Sequence, residues 1–299
     1  MANFPPELEA YVSPDCDRLA FLQDYLARRD VKTSVVAVND RKHLFVNFPS
    51  SAYNPTFKIK TLLTHYDRVP NSPGANDNST CDLAVADFAA RLNELSLRGF
   101  AHNMRIFFTD GEELGEKGVS EQGAFGLAEL FRKLGITRDD VYVFDACGRG
   151  TVPILAQAGL DVKAKGNFQK QFASLYERTQ NLLREVSPQS WMTLPVPYSD
   201  NAGFLACGIP AVAITFLPAE EATDYARELM RDKNLEKVVM NSDRMDNPSL
   251  PYHFQYVEKM PKTWRLFHTE YDNLLSLTPE SWDLLARILD ALGKARFLA

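Results

Sequence analysis

The chain has 299 residues, 45% of them hydrophobic and 24% charged, and its formal net charge is −6. That length allows one large α/β domain, and the negative charge argues against nucleic acid or an anionic membrane as the main partner. The sequence shows neither a basic and apolar leader nor an apolar run near the ~18 residues of a membrane span. These features predict a soluble, cytoplasmic protein.

The four cysteines are widely spaced, and no two of them form a Cys-x-x-Cys pair. In a chain of this size such spacing predicts free thiols in a reducing compartment. It favours neither a disulfide framework nor a zinc site built from thiolates. The cysteines are Cys16, Cys81, Cys147 and Cys207.

The hydrophobic pattern alternates between helical and strand periods along most of the chain. In chain order it predicts a helix over residues 17–29, strands over 33–38, 43–48 and 58–64, a helix over 83–95, a strand over 104–108, a helix over 123–134, strands over 141–144 and 210–215, and a helix over 279–292. Alternation of this kind predicts an α/β fold with a mixed, mostly parallel central sheet and helices on both faces. We expect a single catalytic domain over residues 1–299.

The pattern loosens between residues 218 and 263. Residues 219–232 are compatible with an acidic helix, whereas residues 241–261 are rich in Asn, Asp, Ser and Pro and show no period. A long irregular insertion is more often functional than a core connection, which makes it a candidate lid or a subunit contact in a homo-oligomer. Four of its larger side chains are candidates to line a pocket, although ordinary packing is favoured: Tyr252, Phe254, Trp264 and Arg265.

Acidic or imidazole side chains follow three of the predicted strands. His65 and Asp67 follow the strand over 58–64, Glu112 and Glu113 come after the strand over 104–108, and Asp145 directly follows the strand over 141–144. Open α/β sheets bind ligands at the carboxyl ends of their strands. The sequence therefore predicts one polar site at that edge.

The adjacent acids Glu112 and Glu113 are the most informative pair in the sequence. Two neighbouring carboxylates repel each other, so a metal ion with bound water is a good candidate to lie between them. One carboxylate would then hold the metal while the other takes a proton from the water. The alternative is a solvated acidic turn, because Asp110 and Gly111 begin a loop.

Four further residues extend this hypothesis. His65 and Asp67 share one side of an extended chain, so the carboxylate can accept the ring N–H that points away from a metal. Asp77 lies in a turn-forming run, where it either caps the following helix or bridges two metals. His268 has acidic neighbours that His43, His102 and His253 lack at comparable positions, which makes it the natural second imidazole.

Read in order, the motifs His65-x-Asp67, Gly74-Ala-x-Asp77-Asn, Glu112-Glu113, Asp145 and His268-Thr-x-x-Asp272 resemble the M28 family of zinc aminopeptidases. The resemblance implies a mixed central sheet flanked by helices, and two zinc ions that share a bridging Asp and a water. It also implies small peptide substrates, with cobalt or manganese as substitute metals. The implied ligands are His65 and Asp145 on one zinc, Glu113 and His268 on the other, and Asp77 between them. Glu112 would be the general base, and Asp67 the partner that orients His65.

The chain departs from the family pattern in places. Ser79-Thr80-Cys81 follows the Asp-Asn turn where relatives have Ala-Ser-Gly, and Ser199-Asp200-Asn201 stands where they have Ser-Asp-His. Asp145 is followed by Ala146-Cys147-Gly148, which leaves Asp140 as a weaker rival for its role.

Three alternatives stay open. The first is a single-zinc acyltransferase of glutaminyl-cyclase type, against which His65 argues because it would have no metal to bind. The second is a peptidase-like scaffold that binds a partner without catalysis, an option that Asn201 keeps open. The third is a co-catalytic carboxypeptidase or deacylase, which the surroundings of Asp77 and His268 disfavour.

Overall fold

The computed structural model describes residues 4–113, 118–159, 167–240 and 256–299. Eight strands of these residues form one sheet: β1 Thr33–Val38, β2 Arg41–Val46, β3 Lys60–His65, β4 Met104–Thr109, β5 Asp140–Phe144, β6 Val152–Ala156, β7 Met192–Leu194 and β8 Ala211–Leu217. The strands lie in the order β1-β2-β4-β3-β5-β8-β6-β7. The predicted mixed sheet is confirmed.

The centre of the sheet is parallel and its margins contain the antiparallel pairs. β3 runs parallel to β4 and to β5, and β5 runs parallel to β8. β1 pairs antiparallel with β2, and β6 pairs antiparallel with β8. The carboxyl ends of β3, β4 and β5 therefore meet at one edge.

Every residue of β3, β5 and β8 is buried. Side chains alternate between the two faces of a strand, so complete burial means that both faces are covered. The described helices are α1 Glu7–Tyr11, α2 Arg18–Ala27, α3 Thr80–Leu97, α4 Gly123–Lys133, α5 Phe168–Val186, α6 Asn201–Ala206, α7 Ala219–Arg231, α8 Lys233–Val239, α9 Lys262–Leu266 and α10 Pro279–Lys294. α10 packs against α3 and α5, and α4 packs against α6. None of these helices is long and apolar enough to cross a bilayer.

Most predicted elements are present, with ends that shift by a few residues. Seven more lie where no helix or strand was predicted, namely α1, β6, α5, β7, α6, α8 and α9. The described part of the segment 218–263 is helical in α7, in α8 and in α9, as predicted for residues 219–232. Trp264 is buried and packs edge-on against Tyr225, with ring centroids 4.9 Å apart, so its role is packing. Tyr252 and Phe254 lie outside the described residues.

Charged side chains at the amino ends of the central strands are paired. Asp140 begins β5, where its two carboxylate oxygens lie 3.3 Å from Lys58 Nζ and 2.7 Å from Arg178 Nη2. Lys60 begins β3 and donates to the carbonyls of Leu292 and Ala295 at the end of α10, at 2.7 and 2.6 Å. Asp140 is thus at the end of β5 opposite Asp145, and it is excluded as the rival metal ligand. All four cysteines are free.

Candidate metal centre

His65, the last residue of β3, is completely buried at the carboxyl edge of the sheet. Its Nδ1 lies 3.6 Å from Asp67 Oδ1. Asp67 also accepts the backbone N–H groups of Glu112 at 3.2 Å and of Glu113 at 3.0 Å. Burial opposes the charge on Asp67, but His65 and these two N–H groups outweigh it and lower the pKa of the carboxyl. Asp67 therefore joins the loop after β4 to the histidine at the end of β3.

The other ring nitrogen of His65 faces two carboxylates. Nε2 lies 3.2 Å from Asp77 Oδ1 and 3.5 Å from Asp145 Oδ1. One atom from each of the three residues falls within 4.8 Å of the others, a spacing that suits a metal ion. Burial alone would lower the pKa of His65, but Asp145, Asp67 and Asp77 reverse that effect and raise it well above its usual value. The imidazole is thus held in a strongly negative field.

Asp77 also takes part in a second group. Its Oδ2 lies 3.7 Å from His268 Nε2, which in turn lies 2.7 Å from Glu113 Oε2. Atoms of Asp77, Glu113 and His268 also fall within 4.8 Å of one another. Asp77 therefore turns one oxygen towards each group. The side chain of His268 is 41% exposed, which places the second group nearer to solvent than the first.

Asp272 fixes the turn that carries Asp77. Its carboxylate accepts hydrogen bonds from the backbone N–H groups of Asn76 at 2.9 Å and Asp77 at 3.0 Å. Its backbone carbonyl accepts a hydrogen bond from the N–H of Ala75 at 3.0 Å. Burial, together with the nearby Asp77, raises the pKa of Asp272 to about 7. No role was predicted for this residue, although it lies four positions after His268, on the same segment.

Two asparagines of the same turn hold the loop after β5. Asn78 donates to the carbonyl of Phe144 at 3.0 Å and accepts the N–H of Ala146 at 3.1 Å. Asn76 accepts the N–H of Gly148 at 2.7 Å. These bonds flank Asp145 and fix its position against His65. The turn-forming residues thus connect two strand ends in addition to beginning α3.

Glu112 is half-buried beside the first group. Its Oε1 accepts a hydrogen bond from Gln122 Nε2 at 3.1 Å, and its carboxylate lies within 4.8 Å of His65 and Glu113. Burial raises the pKa of Glu112 well above its usual value, and the charge of Glu113 adds to that effect. A carboxyl with a raised pKa holds a proton more readily than an ordinary carboxyl, which suits a group that accepts and returns one.

Asp200 is a further buried acid that was given no role from the sequence. Thr109 donates a hydrogen bond to its Oδ2, while its Oδ1 has no hydrogen-bond partner among the described residues. Burial raises the pKa of Asp200 to about 7. The next residue, Asn201, is also buried, and both polar atoms of its amide lack a partner in the described part of the chain. In the sequence, this pair is marked only by Ser199-Asp200-Asn201 standing where the family pattern has Ser-Asp-His.

The chemistry of these side chains suits metal binding. Both ring nitrogens of His65 and the Oδ1 of Asp145 are buried, yet none of these atoms has a hydrogen-bond partner of good geometry among the described residues. Burial and the charge of Asp77 raise the pKa of Glu113 to about 8. The positive charge near this carboxylate is therefore too small to keep it ionised at neutral pH. Imidazole and carboxylate ligands without thiolate suit catalytic zinc. All seven residues predicted for the site are brought together.

Two kinds of comparison bear on this geometry. The model of peptidase family M28 matches residues 51–292, most of the chain. No curated protein matches the sequence.

Several solved structures share the fold. LapA aminopeptidase of Legionella pneumophila is similar with a TM-score of 0.63 at 15% identity, over 98% of this chain and 71% of that one. A zinc aminopeptidase of Bacillus subtilis has a TM-score of 0.52 at 15% identity, over 84% and 49% of the two chains. A glutaminyl cyclase of an Acidobacteriales bacterium has a TM-score of 0.58 at 14% identity, over 96% and 91%. At these identities the likeness concerns the fold alone. On the family match, the chain belongs to peptidase family M28.

Proposed function

We propose that this protein is a di-zinc aminopeptidase that releases N-terminal residues from small peptides. The observation that carries the proposal is the position of Asp77, whose Oδ1 lies 3.2 Å from His65 Nε2 and whose Oδ2 lies 3.7 Å from His268 Nε2. A carboxylate that presents one oxygen to each of two ligand groups is suited to bridging two ions about 3.5–4 Å apart.

Two groups of residues would hold the metals. His65 and Asp145 would bind one ion, Glu113 and His268 the other, and Asp77 both. When bound, the metal pair would polarise the peptide carbonyl and make water a nucleophile at neutral pH. Asp67 would hold the His65 ring through Nδ1, in the way that orienting carboxylates act on ligating histidines.

Glu112 would move the proton. Its carboxylate lies beside both ligand groups, and Gln122 holds one of its oxygens at 3.1 Å. It would accept a proton from the attacking water and return it to the departing amine, which requires a pKa raised towards neutrality. The raised pKa of Glu112, caused first by burial, supports that assignment.

Acyl transfer of glutaminyl-cyclase type is the second candidate, because a cyclase shares the fold with a TM-score of 0.58. The group formed by His65, Asp77 and Asp145, which is present in addition to the group that contains Glu113 and His268, supports hydrolysis instead. A binding protein without catalysis is disfavoured because Glu112 and all five ligand candidates meet at one site.

The test combines metal analysis with a substrate panel. We expect about two zinc ions per chain and release of N-terminal residues from aminoacyl reporters, lost on chelation and restored by zinc, cobalt or manganese. N-acetylated reporters should resist cleavage. A metal-reconstituted protein that hydrolyses no reporter would overturn the proposal, and cyclisation of a glutaminyl substrate without hydrolysis would establish the second candidate.

A further inference from the structure

The N-terminal segment, residues 4–28, precedes the part of the chain that the family model matches. It nevertheless packs directly behind the metal-site loop, residues 66–79, which connects β3 to α3 and carries Asp67 and Asp77. α2 begins in this segment, where Asp17 caps the helix by accepting the N–H of Ala20 at 3.0 Å. The first residue of the helix, Arg18, therefore has a fixed starting point.

Arg18 is only 6% exposed, and its guanidinium faces the metal-site loop. It donates to the carbonyls of Tyr66 at 3.1 Å, Asp67 at 3.4 Å, Pro73 at 2.9 Å and Gly74 at 3.5 Å, and to Ser79 Oγ at 2.6 Å. The acceptors come from both ends of the loop. One rigid group thus holds the stretch after His65 against the stretch on either side of Asp77.

The loop is shaped to receive this guanidinium. Gly74 has φ +60°, and a Cβ there would lie 2.5 Å from the carbonyl oxygen of Asp77 and 3.2 Å from Arg18 Nη2. Ser79 accepts from Arg18 and donates to the carbonyl of Gly74 at 2.5 Å. A larger residue at position 74 would push the arginine and the Asp77 backbone apart.

A second arginine makes the reverse connection. Arg68, on the loop, donates to three carbonyls of the N-terminal segment: Val12 at 2.9 Å, Ser13 at 2.8 Å and Pro14 at 2.9 Å. Each side of the contact therefore contributes an arginine to the backbone of the other. The two segments are joined as one body.

We propose that Arg18 is a positioning residue for the metal centre, acting through the metal-site loop to hold His65, Asp67 and Asp77 in one arrangement. The inference rests on the proposed function only in taking these residues as metal-binding. A planar guanidinium offers a fixed fork of donors, whereas a lysine offers a single point charge. The loop therefore requires the planar shape of the Arg18 guanidinium in addition to its charge.

The experiment measures metal binding without any peptide. Metal-free Arg18→Lys, Arg18→Ala and wild-type proteins are titrated with Co²⁺, recording affinity and the visible absorption spectrum, which reports ligand geometry. Arg18→Ala is also titrated with methylguanidinium present. The matched controls are Arg28→Lys and Arg28→Ala, because Arg28 ends the same helix in an exposed ion pair with Asp24 at 3.0 Å.

We expect Arg18→Lys to weaken cobalt binding on the order of 10-fold and Arg18→Ala on the order of 100-fold, the range for loss of groups that support metal ligands. Both spectra should differ from wild type, methylguanidinium should restore the Arg18→Ala spectrum, and the Arg28 variants should match wild type. Wild-type affinity and spectrum in the Arg18 variants would overturn the inference, as would an equal loss in the Arg28 variants.

Further variants and the wild-type protein separate the possible outcomes. If Arg18→Ala does not fold, Arg18→Lys and Ser79→Ala test the same contact, and normal cobalt binding by both would overturn the inference. A wild-type protein that binds two cobalt ions but hydrolyses no peptide would contradict the proposed function alone. A wild-type protein that binds no metal would overturn both.

Discussion

The amino and carboxyl ends of the central strands hold buried acids in different ways. At the amino end of β5, Asp140 has Lys58 at 3.3 Å and Arg178 at 2.7 Å, so each carboxylate oxygen meets a cation. At the carboxyl ends, Asp77 and Glu113 lie close to each other, and burial followed by the charge of Asp77 raises the pKa of Glu113 to about 8.

Under the proposed function, this difference would separate structural acids from functional ones. A buried acid that is paired with arginine or lysine can remain ionised at neutral pH, whereas a cluster of acids needs protons or a metal ion to remain buried. Metal binding would therefore stabilise the carboxyl edge, while the amino edge should not respond to metal. Each prediction below tests that contrast.

Asp77→Asn should have the largest effect, because an amide cannot supply a charged oxygen to both ligand groups. We expect metal content to fall from two ions to one or fewer, and kcat to fall by at least about 10²-fold, more than loss of an orienting partner alone. Elemental analysis and reporter kinetics measure both. The control is Asp290→Asn, an exposed acid on α10. Two bound metals with full activity in Asp77→Asn would refute the bridging assignment.

Glu112→Gln should separate metal binding from turnover. The amide keeps the size of the side chain but accepts no proton, so we expect normal metal content with kcat reduced by about 10²–10⁴-fold. Glu129→Gln, on the exposed side of α4, is the matched control and should behave as wild type. Activity within a few-fold of wild type would show that another group is the base.

Arg178→Met should affect the amino edge alone. It leaves Asp140 with Lys58 as its remaining partner, and breaking a buried ion pair on one side costs about 3 kcal/mol. We expect the free energy of unfolding, measured in urea, to fall by that amount. Metal content and kcat of the folded protein should not change. A change in metal stoichiometry would contradict the separation of the two edges.

His102 should make the amino edge sensitive to acid. Its Nδ1 accepts the N–H of Met104 at 3.0 Å, and burial lowers its pKa to about 3. Because the folded pKa lies below the unfolded one, stability is present above pH 6.5 and is lost as pH falls. From pH 7.5 to 5 the metal-free protein should lose about 2 kcal/mol through this group. Chemical denaturation at several pH values should show a flatter profile for His102→Asn, and an unchanged slope would exclude His102 as the cause.

Much of the fold could be predicted because local periodicity decides it. The apolar β3, β4 and β5 and the amphipathic α10 were predicted from spacing alone. β7 was missed because it has only three residues and exists through its parallel pairing with β6. α5 places Phe168, Phe172 and Leu175 at helical spacing, so the sequence does contain a signal for this helix.

Some residues of the candidate site could also be predicted from the sequence, and others could not. His65 and Glu113 could be predicted because they lie at a strand end or within four residues of one, and sheet topology brings such positions together. Asp272 could not be assigned a role, because its partners are backbone N–H groups 196 and 195 positions away in the sequence. Asp200 likewise meets Thr109 across 91 positions. Contacts of that range depend on the complete fold.

The bond between Asp272 and the Asn76 turn also sets an order of events during synthesis. Its two ends are 196 positions apart, and ribosomes add about 5–20 residues per second, so the turn waits on the order of 10 s or more for its anchor. His268 emerges equally late. A nascent chain can therefore present His65 and Asp77 long before His268 is made, and under the proposed function full metal loading would be a late step.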